Sequence, residues 1–460
     1  MIRLFRVSIP TSVLALFLLE TILLASCYCT MAHFVLDEDV QFYLLYDGGW
    51  RQIMLVVAAI QLGLYFEDLY EHLRPASGIY LGQQISLVLG AAFLLQAVLG
   101  YARSSLELNK WTMVYGSLLV LLVLPLWRVA FYSVISKALP PEKLLFLGAS
   151  ETLRGIAMRL HERPELGSLV VGYLSAAPGD LPHTPWLGDL SELPQVVERH
   201  RPTRIVVGLG ESRGRLPMQQ LLDLKFSGIQ IEEATMAFES VFGRVSIPDL
   251  RPSQLIFSGG MGPRRWMVQL QGIYSEALGL IGMVITLPVM AVVALVVKFS
   301  SSGPILFRQT RVGLHGKPFV LYKFRSMYAD AEAGSGAVWA TKNDPRITPA
   351  GRWLRRLRLD ELPQFFNVVR GHMSIVGPRP ERPEFCAMLE EKIPFYRQRH
   401  WVKPGITGWA QINHKYGDTI EDSLTKLEYD LYYIKNVGPA LDAYIVFNTV
   451  KVMLLSRGAQ

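Results

Sequence analysis

Long apolar runs dominate the first third of the chain and then stop. Four of them, roughly Ser8 to Phe34, Ile53 to Phe66, Ile79 to Tyr101 and Trp111 to Ile135, predict helices. All but the shorter second run reach the ~20 residues needed to cross bilayer hydrocarbon. Between Lys143 and about Met261 the apolar runs shorten to strand length, at Leu144 to Leu147, Leu169 to Leu174, Ile205 to Val207 and Ile229 to Ile231, with helical stretches between them. That alternation predicts a small α/β sheet. A fifth apolar run, Ala277 to Val297, carries Pro288 at its middle. Beyond it the chain is basic and punctuated by Gly and Pro, with no repeat or low-complexity tract.

Composition narrows the class. With 50% hydrophobic and only 18% charged residues, the chain is too apolar for an ordinary soluble enzyme and too polar for a pure transporter. A membrane anchor carrying aqueous domains fits. Residues 264–460 hold 26 Lys+Arg against 16 Asp+Glu, a balance of +10, and the rest hold 20 against 23. Such a C-terminal excess suits nucleic acid, anionic lipid or a phosphate-bearing substrate, and charge alone does not choose among them.

Charge also orients the runs. Arg3 and Arg6 precede the first, the loop after it carries Asp37, Glu38, Asp39 and Asp47 against Arg51, and Arg128 and Lys137 mark the end of the fourth. The Lys/Arg bias places the N-terminus and everything after Lys137 in the cytoplasm. Leu24-Ala25-Ser26-Cys27 has the form of a lipoprotein cleavage site, but apolar character continues through it, so a helix is expected instead. Cys27, Cys29 and Cys386 have neither disulfide-framework nor zinc-ligand spacing and read as reduced packing residues.

In the α/β region, Gly148-Ala149-Ser150 after a strand starts like a nucleotide-binding turn, yet the later glycines of the dinucleotide fingerprint are missing, and Gly208-x-Gly210 runs into Arg213. A plain turn and a ligand site both remain open. A domain without a complete fingerprint is expected to dock or dimerise, which makes a homodimer one expected partner.

The densest chemistry is Arg352-Trp353-Leu354-Arg355-Arg356-Leu357-Arg358-Leu359-Asp360-Glu361-Leu362-Pro363-Gln364, four arginines before two adjacent carboxylates. Leu362, Phe365, Phe366, Val368 and Val369 have helical spacing, and Pro363 is tolerated only in a first turn, so Asp360 is expected at or near a helix N-terminus. Asp360 then either caps that helix or is a reactive carboxylate. The second reading gains from Lys323-Phe324-Arg325-Ser326-Met327, Asn343-Asp344-Pro345-Arg346 and Gly377-Pro378-Arg379-Pro380. Each sets basic or hydrogen-bonding groups on turn-prone backbone, as holding phosphate oxygens requires. A carboxylate attacks phosphorus only when the substrate's negative charge is neutralised, by arginines, a helix N-terminus and a divalent cation together. Adjacent Asp360 and Glu361 also offer hard oxygen ligands suited to Mg²⁺.

These motifs resemble those of the bacterial sugar transferases that prime exopolysaccharide and O-antigen synthesis, specifically the large monotopic polyprenyl-phosphate phosphoglycosyl transferases. The resemblance covers about Arg265 to Gln460, through Gly303 to Gln309, Lys323 to Met327, Asn343 to Thr348, Asp360 to Gln364, Met373 to Pro380 and Lys403 to Gln411, and is weaker upstream. It implies a membrane protein with a four-helix transmembrane region (1–137), a degenerate Rossmann-like α/β domain (138–264) and a mainly helical monotopic catalytic domain (265–460). Within the last, helix 274–300 would enter and leave the same membrane face by bending at Pro288.

The activity implied is ping-pong transfer of a phosphosugar from a UDP-sugar to polyprenyl phosphate, at the cytoplasmic face of the bacterial inner membrane. Asp360 resembles the nucleophile, Glu361 the Mg²⁺ ligand with Asp360 beside it, and Arg379 a substrate phosphate contact, with Lys323, Arg325 and Arg355 as further candidates. The implied partners are the UDP-sugar, polyprenyl phosphate and the lipid bilayer, and no nucleic acid. Two positions depart from the family pattern. His372 stands where Asp is usual, and Leu287 where Ser precedes the mid-helix proline. Thr286 is expected to supply the missing hydroxyl to a carbonyl freed by the bend.

A membrane-anchored nucleotide-sugar dehydratase or epimerase is the competing enzyme class, but no Tyr stands four residues before a Lys. A non-catalytic membrane scaffold would require Asp360 and Glu361 to be structural. Because every phosphate-handling motif follows them, residues 1–260 are expected to be dispensable for chemistry.

Overall fold

The apolar runs fold as helices that bury one another's interior faces. A computed structural model describes residues 2–454, apart from 5–6, 10, 37–38, 71–77, 139–140, 180, 209–215, 249, 251–261, 329–330, 332–343, 415–416 and 418. The first four runs become α1 (Thr11–Val35), α2 (Gly49–Phe66), α3 (Gly78–Ala102) and α4 (Lys110–Ala138). Among the described residues five helices, these four and one farther on, are long and apolar enough to cross a membrane. Leu24, Tyr28, Ile53, Ile60, Leu64, Ile85 and Leu124 form the bundle core. Backbone approach is close at Gly116, where any Cβ would fall 2.3 Å from the Tyr28 ring.

One ion pair lies inside this apolar bundle. Arg128 Nε donates to Glu20 Oε1 at 2.7 Å, Arg128 Nη2 donates to Glu20 Oε2 at 3.0 Å, and Arg128 Nη1 reaches the Leu69 carbonyl at 2.9 Å. The Tyr70 hydroxyl donates to Glu20 Oε2 at 2.7 Å. Both carboxylate oxygens and the guanidinium are thereby hydrogen-bonded, the condition under which buried charge is tolerated.

The α/β region has the parallel sheet its pattern predicts. Strands β1 (Glu142–Leu147), β2 (Ser168–Leu174), β3 (Arg204–Val207) and β4 (Gln230–Glu233) lie in the order β2-β1-β3-β4. Helices α5 (Glu151–Glu162), α6 (Leu193–His200), α7 (Met218–Phe226) and α8 (Ala234–Phe242) accompany them. Gly148 takes φ +104° at the turn after β1, and Ser150 caps α5 through the Leu153 N–H. A Cβ on Gly208 would fall 2.4 Å from Leu153, so that glycine is explained by helix–strand packing. Gly210 and Arg213 lie outside the described residues.

The segment after α8 leaves the sheet and enters the core of the C-terminal region. Val245, Ile247 and Leu250 pack with Trp409, Leu427 and Leu431. Arg244 pairs with Glu428 at 3.1 Å, Glu428 Oε1 accepts the Ile247 N–H at 3.1 Å, and Trp409 Nε1 donates to the Gly243 carbonyl at 2.7 Å.

The fifth run forms α9 (Arg265–Ser300), 36 residues or about 54 Å long at 1.5 Å per residue. Both halves pack on the same neighbouring domain. In the first half, Gln271 Nε2 donates to the Val376 carbonyl at 3.1 Å and to Asp442 at 2.9 Å, and the Ser275 and Ser374 hydroxyls meet at 2.8 Å. In the second, Val293 and Val297 pack with Phe324 and Leu354. The opposite face leaves Ile273, Ile281, Ile285, Val292 and Phe299 exposed. Pro288 lacks the N–H that would bond the Val284 carbonyl. Thr286 does not supply it as expected: its hydroxyl donates to the Gly282 carbonyl at 2.7 Å, one turn back on its own helix. Such back-bonding itself favours bending.

Around α9 fold the hairpin β5 (Leu306–Val312) and β6 (Pro318–Phe324), helices α10 (Pro349–Arg356) and α11 (Gln364–Val369), and the parallel pair β7 (Ser374–Val376) and β8 (Gly405–Thr407). Helices α12 (Ile420–Asn436) and α13 (Pro439–Leu454) close the domain. The latter docks on the end of α2: Tyr65 donates to Asn448 Oδ1 at 2.7 Å, and Lys451 pairs with Asp68 while lying 4.4 Å from the Tyr65 ring centre.

Candidate active site

Two arginine-bearing turns and one strand converge on the Asp360–Glu361 pair. Thr348 caps α10 by accepting the Gly351 N–H at 2.9 Å, and a Cβ on Gly351 would fall 2.0 Å from the Ser326 carbonyl, so this helix crosses the chain after β6 at backbone contact. After α10, Arg358 adopts φ +56°, a left-handed conformation that reverses the chain and costs on the order of 1 kcal/mol in a non-glycine residue. The next three residues, Leu359–Glu361, form a 3₁₀ turn. Leu359 and Leu362 pack against α9, which drives the intervening carboxylates inward. Asp360 lies in this turn, three residues before the Pro363 cap of the six-residue α11, so it stands near a helix start as expected but does not cap it. Charge on Asp360 is therefore balanced by side chains, with no long helix behind it.

Asp360 and Glu361 are only 7% and 9% exposed, and their surroundings differ. Glu361 Oε1 receives Arg379 Nη2 at 2.9 Å, Lys323 Nζ at 3.1 Å and Arg358 Nη1 at 3.5 Å. Burial alone would raise its carboxyl, but these three cations outweigh burial and hold it far below the usual carboxylate range. Asp360 is pushed the other way: burial, reinforced by the adjacent Glu361 charge, raises it against Lys323, Arg355 and Arg358. Its Oδ1 is buried with no hydrogen-bond partner among the described residues. An unsatisfied buried carboxylate oxygen costs stability, and here it borders a cavity.

That cavity measures about 1250 Å³ and is lined by twelve Lys and Arg side chains against four carboxylates, so it favours a polyanion. Lys323, Arg325, Arg355, Arg358, Arg379, Asp360 and Glu361 all reach its wall. Arg325 is committed elsewhere, however: its guanidinium donates to the carbonyls of Pro304 (2.6 Å), Ser301 (2.6 Å) and Val297 (3.2 Å), tying off the C-terminal end of α9. Arg355 Nε donates to Ser326 Oγ at 3.0 Å. In the Asn-Asp-Pro-Arg motif Arg346 grips Asp344 at 2.6 Å and holds its carboxyl at about 2, and Arg346 lines the cavity, whereas Asn343 lies outside the described residues. His372 donates its N–H to the Asn367 carbonyl, places its ring 6.0 Å from Phe319, and is not part of the wall.

Several wall residues were not singled out from sequence. Arg358 lay within the arginine run, and its direct contact with Glu361 depends on the positive φ that no spacing rule predicts. Arg399 and Asp430, 2.9 Å apart, come from distant segments without any motif.

Among the described residues, no group of three or more His, Cys, Asp or Glu side chains is placed to hold a metal. Mg²⁺ is commonly held by one or two carboxylates plus substrate phosphates. The orphaned Oδ1 of Asp360 beside Glu361 fits that donor set.

Comparison with known proteins supplies the family. The bacterial sugar transferase model matches residues 269–456. The chain is 42% identical over 222 residues to the UDP-N-acetylgalactosamine-undecaprenyl-phosphate N-acetylgalactosaminephosphotransferase of Aeromonas hydrophila, covering 48% of this chain and 52% of that one. It is 36% identical over 329 residues to the UDP-glucose:undecaprenyl-phosphate glucose-1-phosphate transferase of Xanthomonas campestris pv. campestris, covering 68% and 66%. The chain thus spans about half to two thirds of the length of these relatives. The exopolysaccharide production protein PSS of Rhizobium leguminosarum bv. phaseoli is 46% identical over 176 residues, 37% of this chain but 88% of that protein. The matched region holds the Asp360–Glu361 turn and its cations, and on these grounds the chain belongs to the bacterial sugar transferase family.

Proposed function

We propose that this protein transfers a sugar phosphate from a UDP-sugar to polyprenyl phosphate, giving polyprenyl-diphosphate-sugar and UMP, as the first membrane step of exopolysaccharide or O-antigen synthesis. The observation that carries the reading is Asp360: a buried carboxylate with one oxygen unpartnered among the described residues, on the wall of a large cationic cavity. Relatives named as undecaprenyl-phosphate sugar-phosphate transferases supply the acceptor and donor classes.

In this mechanism ionised Asp360 attacks the β-phosphorus of the UDP-sugar. The bond from that phosphorus to the bridging oxygen breaks, UMP leaves, and an aspartyl-phosphosugar remains. A phosphate oxygen of polyprenyl phosphate then attacks the same phosphorus and frees the Asp360 carboxylate. Arg379 and Lys323 face the cavity from Glu361 and neutralise the diphosphate as its charge redistributes, while Arg355 and Arg358 hold Asp360 from the α10 side. Mg²⁺, held by Glu361 and Asp360 with the diphosphate, would add Lewis-acid neutralisation at the phosphoryl oxygens.

The membrane reading follows from parity. Four crossings by α1 to α4 from a cytoplasmic N-terminus return the chain to the cytoplasm at Lys137, and the docking of α13 on the far end of α2 agrees with that side. A fifth full crossing by α9 would strand Asp360 away from UDP-sugars. The packing of both α9 halves on one domain instead supports a helix that enters and leaves the inner membrane from its cytoplasmic face, bent near Pro288. Cysteines placed singly before Ala277 and after Val297 should both label only from the cytoplasmic side.

Incubation with UDP-sugar and Mg²⁺ but no lipid acceptor should leave a phosphosugar on Asp360, read by intact-protein mass spectrometry. Absence of the adduct under single-turnover conditions, with UMP still released, would rule out the covalent route.

A further inference from the structure

Arg379 points at Glu361 because its backbone is held from behind. The Pro-Arg-Pro turn forms no helix or strand, so its own hydrogen bonding does not fix the direction of the arginine. The flanking Pro378 and Glu381 carbonyls accept from the Gly405 and Val312 N–H groups, and two guanidiniums, one buried and one half-buried, hold the carbonyls between them. Arg399 Nη2 donates to the Arg379 carbonyl at 3.0 Å, and Arg311 Nη1 donates to the Pro380 carbonyl at 3.1 Å. Arg399 in turn forms an ion pair with Asp430 Oδ2 at 2.9 Å, without hydrogen-bond alignment at that oxygen, and donates to the Tyr396 hydroxyl at 2.5 Å. Arg399 and Asp430 are 6% and 1% exposed. A charge pair this deep is a poor source of net stability compared with apolar packing. Its geometric consequence is specific: it fixes a carbonyl one residue's backbone away from the guanidinium that meets Glu361.

The pair also has a brace. Asp430 lies on α12 two residues after Glu428, which holds Arg244 and the Ile247 N–H of the segment arriving from the α/β domain. The helix carrying Asp430 is therefore fixed from one side by the α/β domain and from the other by the cavity wall.

We propose that the buried Arg399–Asp430 pair is a positioning device for the transfer reaction, holding the Arg379 carbonyl so that the Arg379 guanidinium stays aimed at Glu361 and the substrate phosphates. This inference rests on the transferase reading above. It predicts that the pair affects turnover only through Arg379, which a general contribution to folding would not do.

The test is a double-mutant cycle on the full-length protein in detergent, measuring steady-state UMP release with polyprenyl phosphate as acceptor and a UDP-sugar that the wild type turns over. Asp430→Asn should lower kcat/KM about tenfold in the wild-type background, chiefly by raising KM, and less than about twofold in an Arg379→Ala background. Equal losses in both backgrounds would overturn the inference while leaving the transferase reading intact. A wild type that releases UMP from no UDP-sugar would overturn both. Should Asp430→Asn not fold, Tyr396→Phe keeps both charges and removes one contact to Arg399. It should cost about threefold, and again only while Arg379 is present; the same threefold loss without Arg379 would sink the idea.

Discussion

Two of the buried charged sites among the described residues are built on opposite rules. In the helical bundle, Glu20 and Arg128 satisfy each other completely: both carboxylate oxygens accept, the Leu69 carbonyl takes a further guanidinium N–H, and Tyr70 completes the set. At the cavity, Glu361 is oversupplied with cations while its neighbour Asp360 keeps a buried oxygen without a partner among the described residues. A closed network does nothing but hold helices together. An unclosed one beside open space leaves a carboxylate oxygen available to a substrate or cation, which is the role proposed for Asp360.

The largest expected effect breaks the chemical site alone. Asp360→Asn should reduce UMP release by on the order of 10⁴-fold or more, as removal of a nucleophile does, and should abolish the mass-spectrometric adduct. Removing one partner from the closed site should act on folding instead. Arg128→Ala leaves Glu20 buried and unpaired and should cost about 3–5 kcal/mol, measured as loss of folded protein in detergent, while the molecules that remain folded still form the adduct. Adduct loss in that folded fraction would show that the bundle site is chemical after all.

Next in size is Glu361→Gln, expected to lower turnover by about 10²-fold and weaken its Mg²⁺ dependence together. It also tests the electrostatics. Asp360 must be ionised to attack, and burial with the neighbouring Glu361 charge raises its carboxyl, so the rate should fall as pH drops through that raised value. With Glu361 neutralised, the acid limb of the pH–rate profile for the remaining activity should move to lower pH. An unmoved limb would mean that the limb belongs to another group.

The smallest effects concern stability. Because the carboxyl of Asp360 is raised in the folded state, its ionised form opposes folding above the unfolded value, and that cost vanishes as pH falls below it. Asp360→Asn should therefore unfold at a higher temperature than wild type at pH 8, with the gap closing toward acid. Truncation at Pro263 should keep measurable UMP release, because the phosphate-handling motifs all follow it. It should also melt at a lower temperature, because Val245, Ile247 and Leu250 are stripped from the core beside Trp409 and Leu431.

Much of the fold was legible because hydrophobic period is a local property. The first four helical runs and the four strands of the sheet fall within a few residues of the positions their patterns predict, whereas the fifth helix begins at Arg265, nine residues before the expected 274. The phosphate-handling motifs are contiguous, so Lys323, Arg355, Arg379 and the Asp360–Glu361 pair stood out together and do meet at one cavity. Arg325 illustrates the limit. Its motif marks it as basic and near the site, but only the end of α9 lying against it decides that its guanidinium is taken by three backbone carbonyls. The same holds for Thr286, whose hydroxyl turns back to Gly282, and for Asp360, placed in a 3₁₀ turn by one left-handed residue.

The sequence by itself therefore determined the element types, the membrane character and the contiguous motifs that single out Asp360 and Glu361, since each follows from short-range pattern. The tertiary structure alone decided which charges are closed and which stay open. Glu20 finds Arg128 from 108 residues away, and Arg379 is held by an Arg399 whose partner Asp430 lies on another helix. Partner choice over such separations depends on how helices pack and which polar atoms are left over once they do, and no local period encodes that.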